Sequence, residues 1–413
     1  MLQRWSWLAV SAMLVVSAFG VAVQAQDNPP SAEAEASSEA GLDLTLRTKA
    51  AAMPLSVLDG SSFESTASHI YLSDFNTGTV LAQKAGDEKM YPSSMTKMMT
   101  LYIVFQQLKE GALTLADSQF TVSEKAWRMQ GSKMFVPLGT SIPLEDLIRG
   151  IAIQSGNDAC VVVAEGIACS EEAFAKLMND TAKKLGMTHT NFVDASGWPH
   201  TDHVTTAHDL NLLATAIIRD FPQYYHYLSE REFTFHGIRQ FNRNLLLGNA
   251  EMHVDGLKTG HTEAAGYGIT LSAQDPTSKR RLVLVINGLE SDAARAQEGE
   301  RLLKWGFTNF KNTKAYAADQ GLTNAKVFMG EAKEVPLTIA SDVVITAPKS
   351  AAASIKGSVT YNSPLIAPVT KGQEVGKLNI TFADGSTKEV PVIAANDVAK
   401  LPWLARVGRA LGL

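Results

Sequence analysis

The sequence predicts an α+β fold, with helices packed against an antiparallel sheet, followed by a small all-β domain. Three observations carry that reading. Apolar residues recur at helical spacing in several segments between Met95 and Trp305. Strand-like runs at Phe233 to Phe235, Gly266 to Ala273 and Arg281 to Asn287 fall among these helices without the regular βαβ alternation of a parallel sheet. After about Lys314 the pattern changes to short β-rich stretches separated by Gly, Ser, Asp and Pro. A chain of 413 residues with 45% hydrophobic content can bury two such cores, and disorder is excluded. A formal net charge of −5 with no long basic run argues against nucleic acid as a partner.

Taken in order, residues 1–25 carry one charge, Arg4, before the apolar run Trp7 to Val23, and they end with small residues at Val23 and Ala25. That is the pattern of a secretory signal peptide and points to a periplasmic destination. An uncleaved anchor is the alternative, since the apolar run approaches spanning length. Residues 26–52, rich in Ala, Ser and Glu, read as a flexible leader. A catalytic-type domain is assigned to 53–313. It opens with a hairpin in which His69 to Ser73 and Thr79 to Ala82 flank Asp74 to Gly78. Met95, Met98, Met99, Ile103, Val104 and Leu108 then mark a helix, and Leu144 to Ile153, Asp158 to Ala168, Glu171 to Leu185, Ala207 to Arg219 and Ala294 to Trp305 mark five more.

The β-rich domain is assigned to 314–396, with strands at Val327 to Met329, Val335 to Ile339, Val343 to Thr346, Gly357 to Tyr361, Val375 to Phe382 and Glu389 to Ile393. Residues 397–413 read as an amphipathic membrane-anchor helix. At 100° per residue, Trp403, Leu404, Val407, Ala410 and Leu411 share one side while Arg406 and Arg409 fall opposite. The alternative is a terminal helix docked on its own domain. Cys160 and Cys169, nine residues apart on one helix, would be about 13.5 Å apart along its axis, too far for a disulfide. Both read as free, buried thiols.

Three short patterns could carry chemistry. Ser94-Met95-Thr96-Lys97 places a lysine one helical turn beyond a serine, so its amine can reach the hydroxyl. A serine is a weak nucleophile until a base takes its proton, and a lysine among cations and apolar groups can lose its charge to become that base. Pro92 suits a helix start, where free N–H groups can face an oxyanion. Ser155-Gly156-Asn157 adds a hydroxyl to pass a proton and an amide to hold lysine and substrate. Lys258-Thr259-Gly260, placed before the strand near Gly266, offers a cation and a hydroxyl to a substrate carboxylate, and Gly260 lets a substrate lie close. Each triplet alone has a bland alternative: a helix cap with a solvated lysine, a capping Asn, or a turn. Their order matches the serine acyltransferase set of penicillin-binding proteins and serine β-lactamases.

The resemblance extends to Tyr91 through Thr100, Leu147-Ile148-Arg149-Gly150, Gln154 through Cys160, Phe233-Thr234-Phe235, Gly237 through Gln240, Asn242-Arg243-Asn244 and Val254 through Thr262. Over nearly the whole mature chain it resembles the penicillin-binding protein 5/6 type of D-alanyl-D-alanine carboxypeptidase. The resemblance implies a penicillin-recognising serine transferase domain that acts on peptidoglycan stem pentapeptides and takes β-lactams as covalent inhibitors, without metal or cofactor. Ser94 is then the nucleophile and Lys97 its base. Ser155 relays a proton, Asn157 orients Lys97 and the substrate, and Lys258 tunes the field. Thr259, Gly260, His261 and Arg295 form the substrate side: Thr259 and Arg295 take the carboxylate, and the His261 N–H joins that of Ser94 at the oxyanion. A C-terminal amphipathic anchor on the outer face of the inner membrane is implied as well.

Class A β-lactamases are similar in having a Glu-x-x-Leu-Asn segment that drives deacylation, and here Ala207 stands at the glutamate position of Ala207-His208-Asp209-Leu210-Asn211. A β-lactam is therefore expected to stay on Ser94. His200, Asp202, His203 and His208 lie close in sequence but lack a His-Glu-x-x-His spacing. The rival functions are an endopeptidase cutting D-alanyl cross-links with the same residues, and a wall-binding protein with vestigial hydrolysis.

Overall fold

The structure, a computed structural model, describes residues 8–14, 56–57, 64–349, 355–381 and 387–403. The 26–52 leader, most of the expected signal peptide and residues 404–413 of the expected anchor lie outside the described residues. Leu8–Leu14 runs antiparallel to Ile355–Tyr361, as an extended apolar segment can at an open sheet edge. The chain divides into a unit of residues 23–308 and a second unit of 309–413 that includes 1–22.

The first unit contains β1 (His69–Asp74), β2 (Val80–Lys84), α1 (Lys97–Lys109), α2 (Leu144–Ala152), α3 (Asn157–Ala168), α4 (Glu171–Lys184), α5 (Ala207–Asp220), β3 (Val254–Thr262), β4 (Gly266–Gln274), β5 (Arg281–Leu289) and α6 (Asp292–Asn309). Its main sheet is antiparallel in the order Ser56–Val57, β2, β1, β5, β4, β3. Helices cover both faces. On one, Asn211 of α5 donates to the Val283 carbonyl and accepts from Ser73 Oγ. On the other, Gly299 and Gly306 of α6 bring the helix against Leu271, Ile286, Leu282 and Leu72. Strands covered on both faces are buried throughout: β5 reads as a nearly continuous apolar run, while β1 also buries His69, Ser73 and Asp74. α1 is buried nearly all round, so its Met, Ile, Val and Phe side chains fill the centre of the helical half instead of forming one stripe.

Several details differ from the sequence expectations. Ser94 lies in a 3₁₀ turn, Ser93–Thr96, immediately before α1. Lys258, Thr259 and Gly260 precede strand β4 as expected, but they are themselves inside a strand, β3. Cys160 is buried, but Cys169 is exposed, because α3 ends at Ala168 and Cys169 turns into the left-handed region as its C-cap. The unit boundary falls at Asn309, ahead of Lys314, because Phe310–Tyr316 pairs with Val343–Pro348 in the second unit.

In the second unit, the sheet runs Leu8–Leu14, Ile355–Tyr361, Glu374–Thr381, Thr387–Ala394, Glu334–Thr338, Thr323–Phe328, Leu365–Ile366. Alternate residues such as Ala325, Val327, Val335, Leu337, Leu378 and Ile380 face one core, the period-2 pattern of strands with one face buried.

Asp74 ties the hairpin to the sheet. Its Oδ1 accepts the N–H groups of Asn76 and Thr77, and its Oδ2 accepts Arg280 Nε at 2.7 Å in a fully buried ion pair. Breaking such a pair from one side costs about 3–5 kcal/mol. Asp74→Ala is expected to lower the calorimetric midpoint of the first unit by roughly 6–15 °C, while penicillin acylation at 25 °C by the folded protein stays close to that of the parent. A shift under about 2 °C would contradict that weight for the pair.

Candidate active site

The 3₁₀ turn and the first turn of α1 bring Ser94 and Lys97 together. Lys97 Nζ lies 2.9 Å from Ser94 Oγ, 2.7 Å from Asn157 Oδ1 and 2.6 Å from the Ser196 carbonyl oxygen. The amide and carbonyl oxygens can only accept, so they take two N–H groups of the amine. The Ser94 hydroxyl, which can donate, faces the remaining tetrahedral position, where an uncharged lysine holds its lone pair. Lys97 is fully buried, and that burial pushes its pKa down; Arg243 pushes the same way, while Cys160, Asp194 and Asp158 pull it up.

Asn157 opens α3, and both of its polar ends are fixed: Oδ1 accepts from Lys97, and Nδ2 donates to the Gln130 carbonyl at 2.8 Å. Next to it, Asp158 accepts the N–H groups of Met134, Phe135 and Val136, which pins residues 130–136 across the start of α3. Ser155 Oγ accepts from Lys258 Nζ at 3.0 Å. Ser93 and Ser155 hold φ of 48° and 59°, conformations that cost a non-glycine residue about 1–2 kcal/mol each. Such strain persists where the surroundings over-determine it, and here it sits beside Ser94 and at Ser155 itself.

Strand β3 is the sheet edge beside the Ser93–Thr96 turn. Gly260 serves a close approach within the protein itself: a Cβ there would lie 2.9 Å from the Pro92 carbonyl oxygen and 3.3 Å from the Met95 nitrogen. Lys258 and Thr259 are buried on the same strand, and His261 stacks on Tyr267 at 3.9 Å. Burial, with Lys97, Arg243 and Arg295 nearby, pushes Lys258 well below the usual lysine range. Arg295 on α6 is 4% exposed. Its guanidinium donates to the carbonyls of Gly268 and Arg243 and pairs with Asp292, so it supports the cleft wall from behind β4.

The structure thus gathers Ser94, Lys97, Ser155, Asn157, Lys258, Thr259, Gly260 and His261 around the turn and the β3 edge, with Arg295 behind them. It adds residues to which the sequence reading gave no role. Arg243, between two asparagines, donates to Ser132 Oγ at 2.6 Å and adds to the field on both lysines. Ser196 accepts from the Lys97 amine and Asp194 holds the loop that carries it, in a segment outside the elements and motifs assigned from the sequence. The histidines considered for metal have separate partners: His203 meets Thr96 and Asp194, His208 meets Asp87, and His200 accepts from the Asp202 N–H. Among the described residues no cluster of three or more His, Cys, Asp or Glu could hold a metal. Burial raises the Cys160 thiol to about 12, which leaves it protonated and unreactive.

Residues 52–290 match the family model described as D-alanyl-D-alanine carboxypeptidase, peptidase S11, and residues 310–400 match the C-terminal domain of penicillin-binding protein 5. The chain belongs to the peptidase S11 family. Its relatives include D-alanyl-D-alanine carboxypeptidase DacC of Escherichia coli (strain K12), 39% identical over 81% of this chain and 85% of that protein. DacA of Haemophilus influenzae is 38% identical over 81% of this chain and 86% of the relative. Among solved structures, penicillin binding protein 5 from Haemophilus influenzae superposes with a TM-score of 0.75 at 36% identity, covering 82% of this chain and 99% of that one.

In this peptidase S11 chain the Ser93–Thr96 turn and strand β3 meet at Gly260, and the Ser93 and Thr262 hydroxyls join them again at 3.1 Å. Gly260→Ala is expected to push them apart by a few tenths of an ångström and to lower penicillin acylation by about tenfold or more, with little change in thermal midpoint. Acylation at the parent rate would contradict that role for Gly260.

Proposed function

We propose that the chain removes the terminal D-alanine from peptidoglycan pentapeptides through an acyl-enzyme on Ser94. The observation that carries this reading is the buried, three-partnered amine of Lys97 aimed at Ser94 Oγ. Lys97 takes the hydroxyl proton as Ser94 Oγ attacks the carbonyl between the two D-alanines. Backbone N–H groups of Ser94 and His261 hold the oxyanion. When the C–N bond breaks, the proton that Lys97 took is relayed through the Ser155 hydroxyl to the departing amine, with Lys258 Nζ 3.0 Å from the Ser155 oxygen. Thr259 meets the substrate's terminal carboxylate, with Arg295 adding positive field from behind the strand. Water then cleaves the ester. β-Lactams enter the same path but leave slowly: Ala207 is buried at the start of α5 and supplies no carboxylate to activate water.

The test is a product assay. The mature protein should release free D-alanine from a soluble pentapeptide, with little cleavage of a cross-linked muropeptide, and Ser94→Ala should abolish both turnover and penicillin labelling. Preferential cleavage of the cross-link would favour an endopeptidase; labelling without turnover would favour a wall-binding role. Because the Lys97 pKa is lowered from about 10.4, activity should rise with pH and level off below that value. A flat profile between about pH 6 and 10 would contradict Lys97 as the base.

The periplasm, reached through a cleaved leader, and peripheral attachment to the outer face of the inner membrane through 397–413 belong to the same proposal. Support comes from where the folded chain hands over to that segment. Phe328 and Ile366 are paired neighbours on adjacent strands and both exposed. The Leu401 N–H bonds the Met329 carbonyl, so the exposed Trp403 follows a stretch held against the same strand end. Among the described residues no helix is long and apolar enough to cross a membrane. The full mature chain should sediment with anionic vesicles and a chain ending at Trp403 should do so less; equal partitioning would contradict the anchor.

A further inference from the structure

Behind Lys97 lies a buried polar chain that the mechanism above does not use. Asp194 Oδ1 accepts the N–H groups of Ser196 at 2.7 Å, Gly197 at 2.8 Å and Trp198 at 3.2 Å, together with the Ser196 hydroxyl at 2.8 Å. Asp194 Oδ2 lies 3.1 Å from His203 Nδ1, and His203 Nε2 lies 2.9 Å from Thr96 Oγ1. One carboxylate therefore joins the loop that holds the Lys97 amine to the residue immediately before Lys97 in the chain.

The peptide plane explains why this matters. In a trans peptide the C=O of Ser196 and the N–H of Gly197 belong to one rigid unit and point in opposite directions. The Gly197 N–H is fixed on Asp194, so the Ser196 carbonyl must point away from Asp194, and there it meets Lys97 Nζ at 2.6 Å. Gly197 has φ +82°, and any Cβ on it would overlap the Ser93 carbonyl, so the loop is seated against the nucleophile's own turn. Thr100 Oγ1, donating to the Ala195 carbonyl at 2.6 Å, clamps the loop to α1 a second time.

We propose that Asp194 is a positioning residue for the Ser94–Lys97 pair, fixing the Ser196–Gly197 peptide plane and holding a negative charge behind the buried amine. The inference rests on the reading of Lys97 as the base. The charged and titratable groups around that amine are Cys160 and Asp158 from α3, Arg243 from the segment after the 232–241 hairpin, Lys258 from β3, and Asp194 with His203 on its far side. Burial opposes the charge on Asp194, yet hydrogen bonds from His203 and Ser196 outweigh it and hold the carboxyl well below the usual range. Asp194 is one of the groups that pull Lys97 up against its burial. Without that charge, Lys97 gives up its proton at lower pH.

Asp194→Asn separates the two effects, because it keeps an oxygen for the three N–H groups and turns an amide toward His203, whose Nδ1 can accept in the other tautomer. The readout is the second-order rate of penicillin acylation against pH, normalised to acylatable enzyme. For Asp194→Asn the acid limb should move down by about half to one pH unit, with a plateau within about threefold of the parent. Asp194→Ala, which loses the orientation too, should drop the plateau by about tenfold or more. A structural role alone would lower thermal stability and leave the limb of Asp194→Asn in place. An unmoved limb, or a parental plateau in Asp194→Ala, overturns the inference provided Lys97→Met fails to acylate. Acylation by Lys97→Met at the parent rate would instead overturn the reading of Lys97 as the base, and the inference with it.

Discussion

A lysine amine with no exposure to water is the constraint on which this site depends. An isolated ammonium in such a place is costly, so it must shed its proton or be fully partnered. The fold meets Lys97 with oxygens from three separate segments: Ser94 from the 3₁₀ turn, Asn157 from the start of α3 and Ser196 from the 194–198 loop. Each segment is in turn held elsewhere. Gly260 seats the turn against β3, Asp158 pins the 130–136 loop over α3, and Thr100 clamps the 194–198 loop to α1. The helical half of the unit can be read as the packing needed to bring these three oxygens to one point.

The substrate side obeys a different logic. β3 is an edge strand paired with β4, and the Ser93–Thr96 turn packs over the face the two share, where Gly260 and Gly268 leave room for it. Arg295 is buried with Arg243 close by, so positive charge lies in a low-dielectric wall where a carboxylate would feel it strongly, while burial and these same cations push the Lys258 pKa down. Arg295 is engaged by Gly268, Arg243 and Asp292, which makes it a fixed source of field that also braces the Arg243 segment. Burial is the main cause that favours the uncharged form of Lys97, and Arg243 adds to it.

Much of this was legible in the sequence because it rests on local periodicity. Residues three apart meet across a helical turn, so spacing let Lys97 reach Ser94 and the order of the three triplets favoured that over a cap with a solvated lysine, while the helix boundaries at α2, α4 and α5 fall within a residue or so of the apolar pattern. Strand β3 was not visible as a strand. Its Asp255, Gly256, Lys258, Gly260 and His261 have weak β preference, and burial against β4 and the nucleophile turn overrides that preference. Cys169 was misplaced because a left-handed C-cap turns it out of the helix, which periodicity does not register. The roles of Asp194, Ser196 and His203 were missed for a further reason: Ser196 and His203 meet Lys97 and Thr96, about a hundred residues away in the chain, Asp194 acts through those two, and nothing in Asp-Ala-Ser-Gly distinguishes an active-site brace from an ordinary turn.

The most direct test of this account is the protonation state of Lys97 itself, read by NMR of a side-chain ¹⁵N-labelled lysine in the mature protein and assigned by its loss in Lys97→Met. The account predicts a Lys97 signal that titrates clearly below the free-lysine value of about 10.4, and that shifts on acylation of Ser94 by penicillin. A Lys97 amine that stays protonated up to about pH 10.4 or beyond would contradict it.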